Sequence, residues 1–414
     1  MAQPTRMVRG LLLFEAAMYS SVTPVLPHYA HTLHASKAAV GLLAAGYSAG
    51  LIPGALLGGR FATRHGVRRT TLAGLIGFGL AIAGFGLVSD LAALDALRVV
   101  QGMFCGLIWG GGLTWVIAAA PVQRRGTVIA GVMAAATLGT LIGPLLGTLA
   151  LAIGTVPVFG ATGAASLVLA GWAARHPEPA WRPPTGAIGD QLRRALHSDG
   201  FALGTWLVAL EAIYFGAAGV LLPLRMAHLG APGWEIGAAF AAASAVSAAL
   251  APLVGRSVDR RGARLTITFG LATGAPLLVA LLAPTDPTVL AGLLVISLGV
   301  PMTAGMIPAV SLMTAATERA GVSLVLATTA VNLGYAVGET LGAPTAAALG
   351  QTAGDGLPLF ILAALMLASL VPVRRAPSGA ESAEPAPDPH APGRTHARGR
   401  RRTRRGDRSV TRSR

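Results

Sequence analysis

Lysine, cysteine and charge are all scarce in this chain. Cys105 is the single cysteine, so neither a disulfide framework nor a cysteine metal site can be built from it. Lys37 is the single lysine among 414 residues. Charged residues make up 12% of the sequence against 53% apolar ones, too few to coat the surface of an ordinary soluble protein. No G-x-x-x-x-G-K-[ST] phosphate loop occurs, which leaves ATP-driven work by this chain without support. No constellation argues for catalysis, so an enzyme is not expected, and neither is a metal or a cofactor.

What the chain has instead is apolar length. Mean hydropathy is +0.63, and stretches long enough to cross a hydrocarbon layer of ~30 Å as helices of about 20 residues recur along it. They fall at 8–29, 38–58, 70–88, 91–119, 127–152, 155–174, 201–227, 235–255, 265–283, 288–315, 321–349 and 355–373, which makes about twelve spans. Only helices or closed barrels satisfy backbone polar groups in lipid, and these runs lack the alternation of barrel strands. An all-α membrane protein is therefore expected. The first span carries Glu15, Pro24 and Pro27 and lacks a convincing small-residue cleavage site, so it reads as a span and not as a secretory signal.

Arginine decides orientation, because positive charge in short loops is held on the cytoplasmic side. Arg6 and Arg9, Arg64 to Arg69, Arg124 and Arg125, Arg193 and Arg194, Arg256 to Arg264, Arg319, and Arg374 and Arg375 fall in alternate loops. Both termini are then cytoplasmic, in a multi-pass protein of the inner (plasma) membrane. The net charge of +15 invites a nucleic-acid reading, but ten arginines lie between Ala376 and Arg414 in a segment with little to bury. A disordered Arg-rich cytoplasmic tail over 374–414, solvated beside anionic lipid headgroups, is expected, with no nucleic-acid partner.

The stretch "GRFATRHGVRR" from Gly59 returns as "GRSVDRRGARL" from Gly255, 196 residues later. Carried back without gaps, the same offset pairs Glu15 with Glu211, Pro27 with Pro223 and Gly41 with Gly237; it also pairs Arg60 with Arg256, Arg64 with Arg260, Gly66 with Gly262 and Arg68 with Arg264. Matches of Glu, Pro, Gly and Arg in a hydrophobic chain point to an internal repeat. Each half holds six spans and so enters the membrane in the same direction, giving parallel repeats about an axis along the membrane normal. The expected domains are an N-terminal bundle (1–174), a cytoplasmic linker (175–200) and a C-terminal bundle (201–373).

At these residues the sequence resembles the major facilitator superfamily, over everything except the tail. The family's loop between spans two and three reads G-x-L-a-D-R-x-G-R-R; Gly59, Arg64, Gly66, Arg68 and Arg69 fit, with Thr63 where the family has Asp, while the copy at Gly255, Asp259, Arg260, Gly262 and Arg264 keeps the acid. Arg98, Gln101 and Gly102 match R-x-x-Q-G in span four. In span five, Gly139, Gly143, Pro144 and Gly147 fit G-x-x-x-G-P-x-x-G-G, with Thr148 replacing the last glycine; that signature is associated with exporters of the proton-antiporter branch. The resemblance implies two six-helix repeats around a central cavity and a secondary active transporter.

The residues carry a matching chemistry. A loop arginine and an acid at a span's end make a charge-assisted contact that can break and reform as helices slide, a gate with two discrete packings; with Thr63 in the first loop, Asp259 is expected to carry more of it. Asp95, Arg98, Gln101, Gly102 and Cys105 share one stripe of a helix, and a charge at membrane depth costs ~2.5–3.5 kcal/mol, so Arg98 should face a polar interior. In the family its counterpart influences proton release from a nearby acid. Glu15, Glu211 and Glu339 lie within spans, where a carboxyl shut away from water can hold a proton that a cationic substrate or an approaching Arg98 displaces. Gly139, Gly143 and Gly147, and Gly334, Gly338 and Gly342 beside Pro344, are spaced for close helix contact. Tyr19, Trp109, Trp115, Tyr214, Phe215 and Tyr335 are candidates to line an apolar pocket.

The expected function is proton-coupled export of small amphipathic or cationic compounds, by a monomer whose partners are substrate, protons and the bilayer. A proton-coupled metabolite importer is the alternative, and a non-transporting membrane receptor or scaffold a third reading.

Overall fold

The structure, a computed structural model, describes residues 2–120, 125–178, 193–198, 200–322 and 324–375. Most of the linker and the tail beyond Arg375 lie outside the described residues. Within them the chain is helical, with no strand, and ten helical stretches are long and apolar enough to cross a membrane.

The first span is broken where its prolines fall. Helix α1 (Ala2–Ser20) gives way to a 3₁₀ turn at Thr23–Val25 and then to α2 (Leu26–Thr32). Pro24 and Pro27 each sit at the start of their segment, where a missing N–H costs nothing. Helices α3 (Lys37–His65), α4 (Val67–Leu87), α5 (Leu91–Ala119), α6 (Arg125–Ile153) and α7 (Thr155–Ala174) complete the first half. The second half runs α8 (Phe201–His228), α9 (Gly233–Arg261), α10 (Ala263–Ala280), α11 (Pro287–Gly299), α12 (Pro301–Arg319), α13 (Leu324–Ala353) and α14 (Gly356–Arg375). The stretch expected as one span over 288–315 is interrupted at Val300. Val300 stays in the right-handed helical region at φ −96 and ψ −68, and Pro301, which has no N–H, begins the next helix.

The 196-residue repeat reappears in backbone detail. Gly66 (φ 89) turns α3 into α4 within one residue, and Gly262 (φ 79) does the same between α9 and α10. Asp90 caps α5 by accepting from Ala93 N at 2.9 Å, and its repeat mate Asp286 caps α11 by accepting from Thr288 N and Val289 N. Arg68 donates to the carbonyl of Ala174 at the end of α7, and Arg264 to that of Arg374 at the end of α14.

One apolar core is drawn almost wholly from α1 to α7 and a second from α8 to α14. Within the halves, α6 packs on α1 and α13 on α8 through the expected small-residue faces. A Cβ on Gly139 would strike Ala16 at 2.9 Å and one on Gly143 the backbone of Ser21 at 3.0 Å; in the second half a Cβ on Gly338 would meet Ala212 at 2.9 Å. Between the halves, α3 packs on α13 and α6 on α9, two contacts that the repeat makes equivalent. Gly41 seats α3 directly on Ala343 and Pro344, and Gly237 seats α9 on the Pro144 carbonyl at 2.9 Å.

Candidate functional site

The side chains that a bilayer makes costly are gathered at the centre of the helices. Glu15 is 3% exposed, yet its carboxylate is well provided for. Tyr47 Oη and Cys105 Sγ (3.1 Å) both donate to Oε1, and Trp109 Nε1 donates to Oε2 at 2.9 Å. All three donors belong to the first half. Glu339, on α13, is held from the other side: Tyr19 Oη donates to its Oε1 and Ser48 Oγ to its Oε2. This carboxylate therefore ties α13 to α1 and α3 across the two halves.

Arg98 is 3% exposed and has no carboxylate partner among the described residues. Its Nη1 donates to Gln101 Oε1 at 3.0 Å, and its guanidinium carbon stands 4.8 Å from the centre of the Tyr47 ring. Gln101 passes the contact on to the Ala81 carbonyl at 3.4 Å. Asp95, one turn earlier, leaves Oδ1 buried and unpartnered. A buried cation held by an amide and a ring face, with Nε free of any partner, is open to an acid that comes to it.

An aromatic layer lies among these groups. Tyr19 is 5.0 Å from Tyr47 and 6.4 Å from Phe215, and Phe215 is 6.4 Å from Tyr335, ring centre to ring centre. Cavities of about 30 Å³ flank it. The one toward the Lys37 end is lined by Tyr19, Ala44, Arg98, Phe215 and Glu339. The one toward the Arg64 end is lined by Leu51, Ala55, Trp109, Leu113 and Asn332. Sites for drug-sized ligands run to ~300–1,000 Å³, so neither of these cavities would hold one as it stands.

The structure brings Glu15, Arg98, Gln101 and Glu339 together, and sets Glu211 apart. Glu211 is 2% exposed, and its Oε2 has no hydrogen-bond partner. Of the candidate aromatics, Tyr19, Trp109, Phe215 and Tyr335 belong to the central layer or its cavities, whereas Trp115 and Tyr214 are buried in the cores. Tyr47 and Ser48, which hold the two acids, were not singled out in the sequence. One signal was there: Tyr47 is among only five tyrosines, in a span built mostly of Gly, Ala and Leu.

The arginine loops are less engaged. Arg60, Arg64, Arg69, Asp259 and Arg260 are exposed, and Asp259 makes no ion pair among the described residues. Gly59 and Gly255 have nothing within 4 Å of a Cβ position. Thr63 donates to the Arg60 carbonyl at 2.8 Å. A carboxylate still reaches the first loop, from Glu178 beyond α7, which accepts from Arg68 N at 3.3 Å. Among the described residues, the polar side-chain contacts that join the halves lie at the Lys37 end and the centre.

Comparison with known proteins fits this geometry. The family model of the Major Facilitator Superfamily matches residues 10–339. An uncharacterized MFS-type transporter of Yersinia pseudotuberculosis is 26% identical over 262 residues, 62% of this chain and 67% of the relative. The tetracenomycin C resistance and export protein of Streptomyces glaucescens is 31% identical over 148 residues, 34% of this chain and 28% of the relative. Among solved structures, a bacterial homologue of the human lysosomal transporter Spinster in an inward-facing, unoccupied conformation superposes with a TM-score of 0.71 at 16% identity, covering 90% of this chain and 95% of that one. A D-xylose-proton symporter does so with a TM-score of 0.70 at 15% identity, covering 90% and 97%.

Proposed function

The chain belongs to the Major Facilitator Superfamily, and from that premise we propose that it is a proton-coupled exporter of small amphipathic or cationic compounds, working by alternating access. The observation that carries this reading is Glu339, a buried carboxylate whose donors among the described residues, Tyr19 and Ser48, come from the opposite half.

An ionised carboxylate only accepts hydrogen bonds; once protonated it becomes a donor at one oxygen. Protonation of Glu339 from the cavity it shares with Arg98 therefore changes its contact with Tyr19 or Ser48 and loosens the seam between the halves. Arg98, lacking a carboxylate of its own, favours the ionised acid and pushes the proton off again. Glu15 has a different part. Three donors satisfy it as a carboxylate, and Trp109 links it to the cavity toward the Arg64 end. A cation arriving there meets a fixed negative charge beside aromatic faces.

In this reading twelve spans cross the membrane, α1 with α2 forming the first and α11 with α12 the tenth, with both termini cytoplasmic. The bundles 1–174 and 201–373 rock about the linker as a monomer, and the arginine loops (Gly59, Arg64, Gly66, Arg68 and Arg69; Gly255, Asp259, Arg260, Gly262 and Arg264) close the cytoplasmic side in the opposite conformation. Gly139, Gly143, Pro144 and Gly147 keep α6 tight on α1 while it moves. Export is favoured by the span-five signature and by the likeness to the tetracenomycin C resistance and export protein; the likeness to a sugar-proton symporter bears on the fold alone.

The test is transport by the purified chain in proteoliposomes with an imposed pH gradient, screened over lipophilic cations and aromatic natural products. Substrate-driven proton movement is the expected result. Proton movement driven by none of the panel, with the fold intact, counts against the reading.

A further inference from the structure

Glu15 and Glu211 occupy the same place in the two halves, but their surroundings differ in one systematic way. The donors to Glu15 are Tyr47, Cys105 and Trp109. At the 196-residue offset their counterparts are Ala243, Pro301 and Gly305, none with a side-chain donor. The register holds this far along the chain, because Asp90 and Asp286, at the same offset, cap α5 and α11 alike. It holds at the site as well. Where Trp109 meets Glu15, the Glu211 carboxyl rests on Gly305, so closely that a Cβ there would overlap Oε1.

Among the described residues no other group replaces the lost donors. Glu211 Oε2 is buried without a partner. Tyr214, on the same helix, spends its hydroxyl on Ser297. The helices packed on α8 bring little charge near: α11 has no ionisable side chain, α12 has none before Glu318 and Arg319, and α14 has none before Arg374. On α13 the ionisable groups are Tyr335 and Glu339, and Glu339 is taken by Tyr19 and Ser48. Lys37, Tyr47, Arg60, Arg64 and His65 on α3, His28, Tyr29 and His31 on α2, and Glu235, Arg256, Asp259, Arg260 and Arg261 on α9 complete the set; Tyr47 is turned to Glu15, Lys37 to Asp355, and Arg60, Arg64 and His65 are exposed. An ionised carboxylate in such a place would be buried with neither a donor nor a counter-charge, which is very costly.

The residue next to Gly305 offers an acceptor. Pro308 lies inside α12 and has no N–H to give the carbonyl four residues before it. That carbonyl belongs to Ala304, adjacent to Gly305. We propose that Glu211 is a second proton-binding site of the transport cycle: it holds a proton in this conformation, donates its O–H to the carbonyl that Pro308 leaves free, and releases the proton when α12 moves away from α8. The proton is taken from one aqueous side and given to the other, with no other group changed. The inference rests on the transport reading for its role in the cycle, and on the donor-free site for the proton itself.

The experiment separates the two. Infrared difference spectra of the full chain in lipid, taken as pH is raised, should contain the C=O stretch of a protonated carboxyl that is missing in Glu211→Gln and present in Glu15→Gln. An unchanged spectrum in Glu211→Gln overturns the proposal. Should that variant fail to fold, reaction of the unmodified chain with dicyclohexylcarbodiimide, which takes protonated carboxyls in apolar sites, decides the same point. Modification mapped to Glu211 supports the proton, and its absence there overturns it. With a transported compound in hand, protons moved per substrate, read from reversal potentials, should fall by one in Glu211→Gln; an unchanged ratio refutes the part in the cycle. A parent chain that moves no compound sinks the transport reading instead, and leaves the infrared result standing.

Discussion

Lys37 Nζ lies 2.6 Å from Asp355 Oδ1, the one ion pair among the described residues, made by the chain's single lysine. It joins the start of α3 to the residue after α13 and its loop, and a second link runs beside it, from Ala38 N to Gln351 Oε1 at 3.0 Å. Beneath both, Gly41 lets α3 lie on Pro344 and Ala343. The side chains are 28% and 19% exposed, so the pair alone is worth about 1 kcal/mol or less after solvent screening. That is still enough to bias two conformations of similar energy.

Lys37→Met should therefore open the Lys37 end more often, by roughly fivefold if the pair contributes about 1 kcal/mol. A cysteine placed at Ala44, which lines the cavity on that side, should react faster with an impermeant maleimide, in a background where Cys105 is Ser. The exchange Lys37→Asp with Asp355→Lys should restore the slower rate. Equal reactivity in the single variant and the parent would mean that packing at Gly41 closes this end unaided.

Glu339→Gln keeps the side chain's size but ends its proton cycle. Gradient-driven accumulation should fall at least tenfold, while exchange of substrate without a gradient persists. Tyr19→Phe and Ser48→Ala each remove one of the two donors to that carboxylate and should fall between the parent and Glu339→Gln. Full accumulation by Glu339→Gln would move the coupling site elsewhere, with Glu15 the next candidate.

Much of this site is visible in the sequence for one physical reason. Charge inside an apolar span is expensive, so Glu15, Arg98, Glu211 and Glu339 stand out against their neighbours. The repeat is legible in the same way, through residues that a hydrophobic chain does not place by chance, and Gly66 and Gly262 prove to be turns at matching positions. What pairs with what is not legible. The offset makes Glu15 and Glu211 twins, yet the second-half acid held by hydroxyls of the first half is Glu339, because packing of α13 on α3 sets that contact. Nor do hydropathy runs show where a span breaks: the stretches around Thr23 and Val300 carry no charge, and the prolines mark the interruption.

Gly66 and Gly262 have φ of 89 and 79 with ψ of 159 and 160, a region essentially closed to other residues at a cost of about 1–3 kcal/mol. Gly262→Ala, with nothing within 4 Å of the new carbon, isolates that backbone cost. Gly66→Ala adds a collision with the Glu178 carboxyl, whose Cδ would stand at 2.9 Å. Both variants should melt lower than the parent in detergent, Gly66→Ala by more. Matching melting curves for the two would show that Glu178 yields freely and that its contact with Arg68 N has little part in holding the loop.

Arg98 and Glu339 line one cavity from opposite halves, and neither has an opposite charge as a partner in this conformation. If Arg98 is the group that returns Glu339 to its ionised form, the two act as one device, and damage to either should abolish the same step. Arg98→Lys retains the charge but not the planar guanidinium that lies over Tyr47 and reaches Gln101; the two cations are not interchangeable at such a site. It should lose most of its gradient-driven transport, on the order of 10-fold to 100-fold, and still fold. The informative measurement is the double variant. Residues that work as a unit are strongly non-additive, so Arg98→Lys with Glu339→Gln should transport no worse than the weaker of the two single variants. Losses that multiply would mean that the two residues serve separate steps. Arg98 would then have its role with Gln101 and the Tyr47 ring, within the first half, and the proton on Glu339 would have to be released by something else.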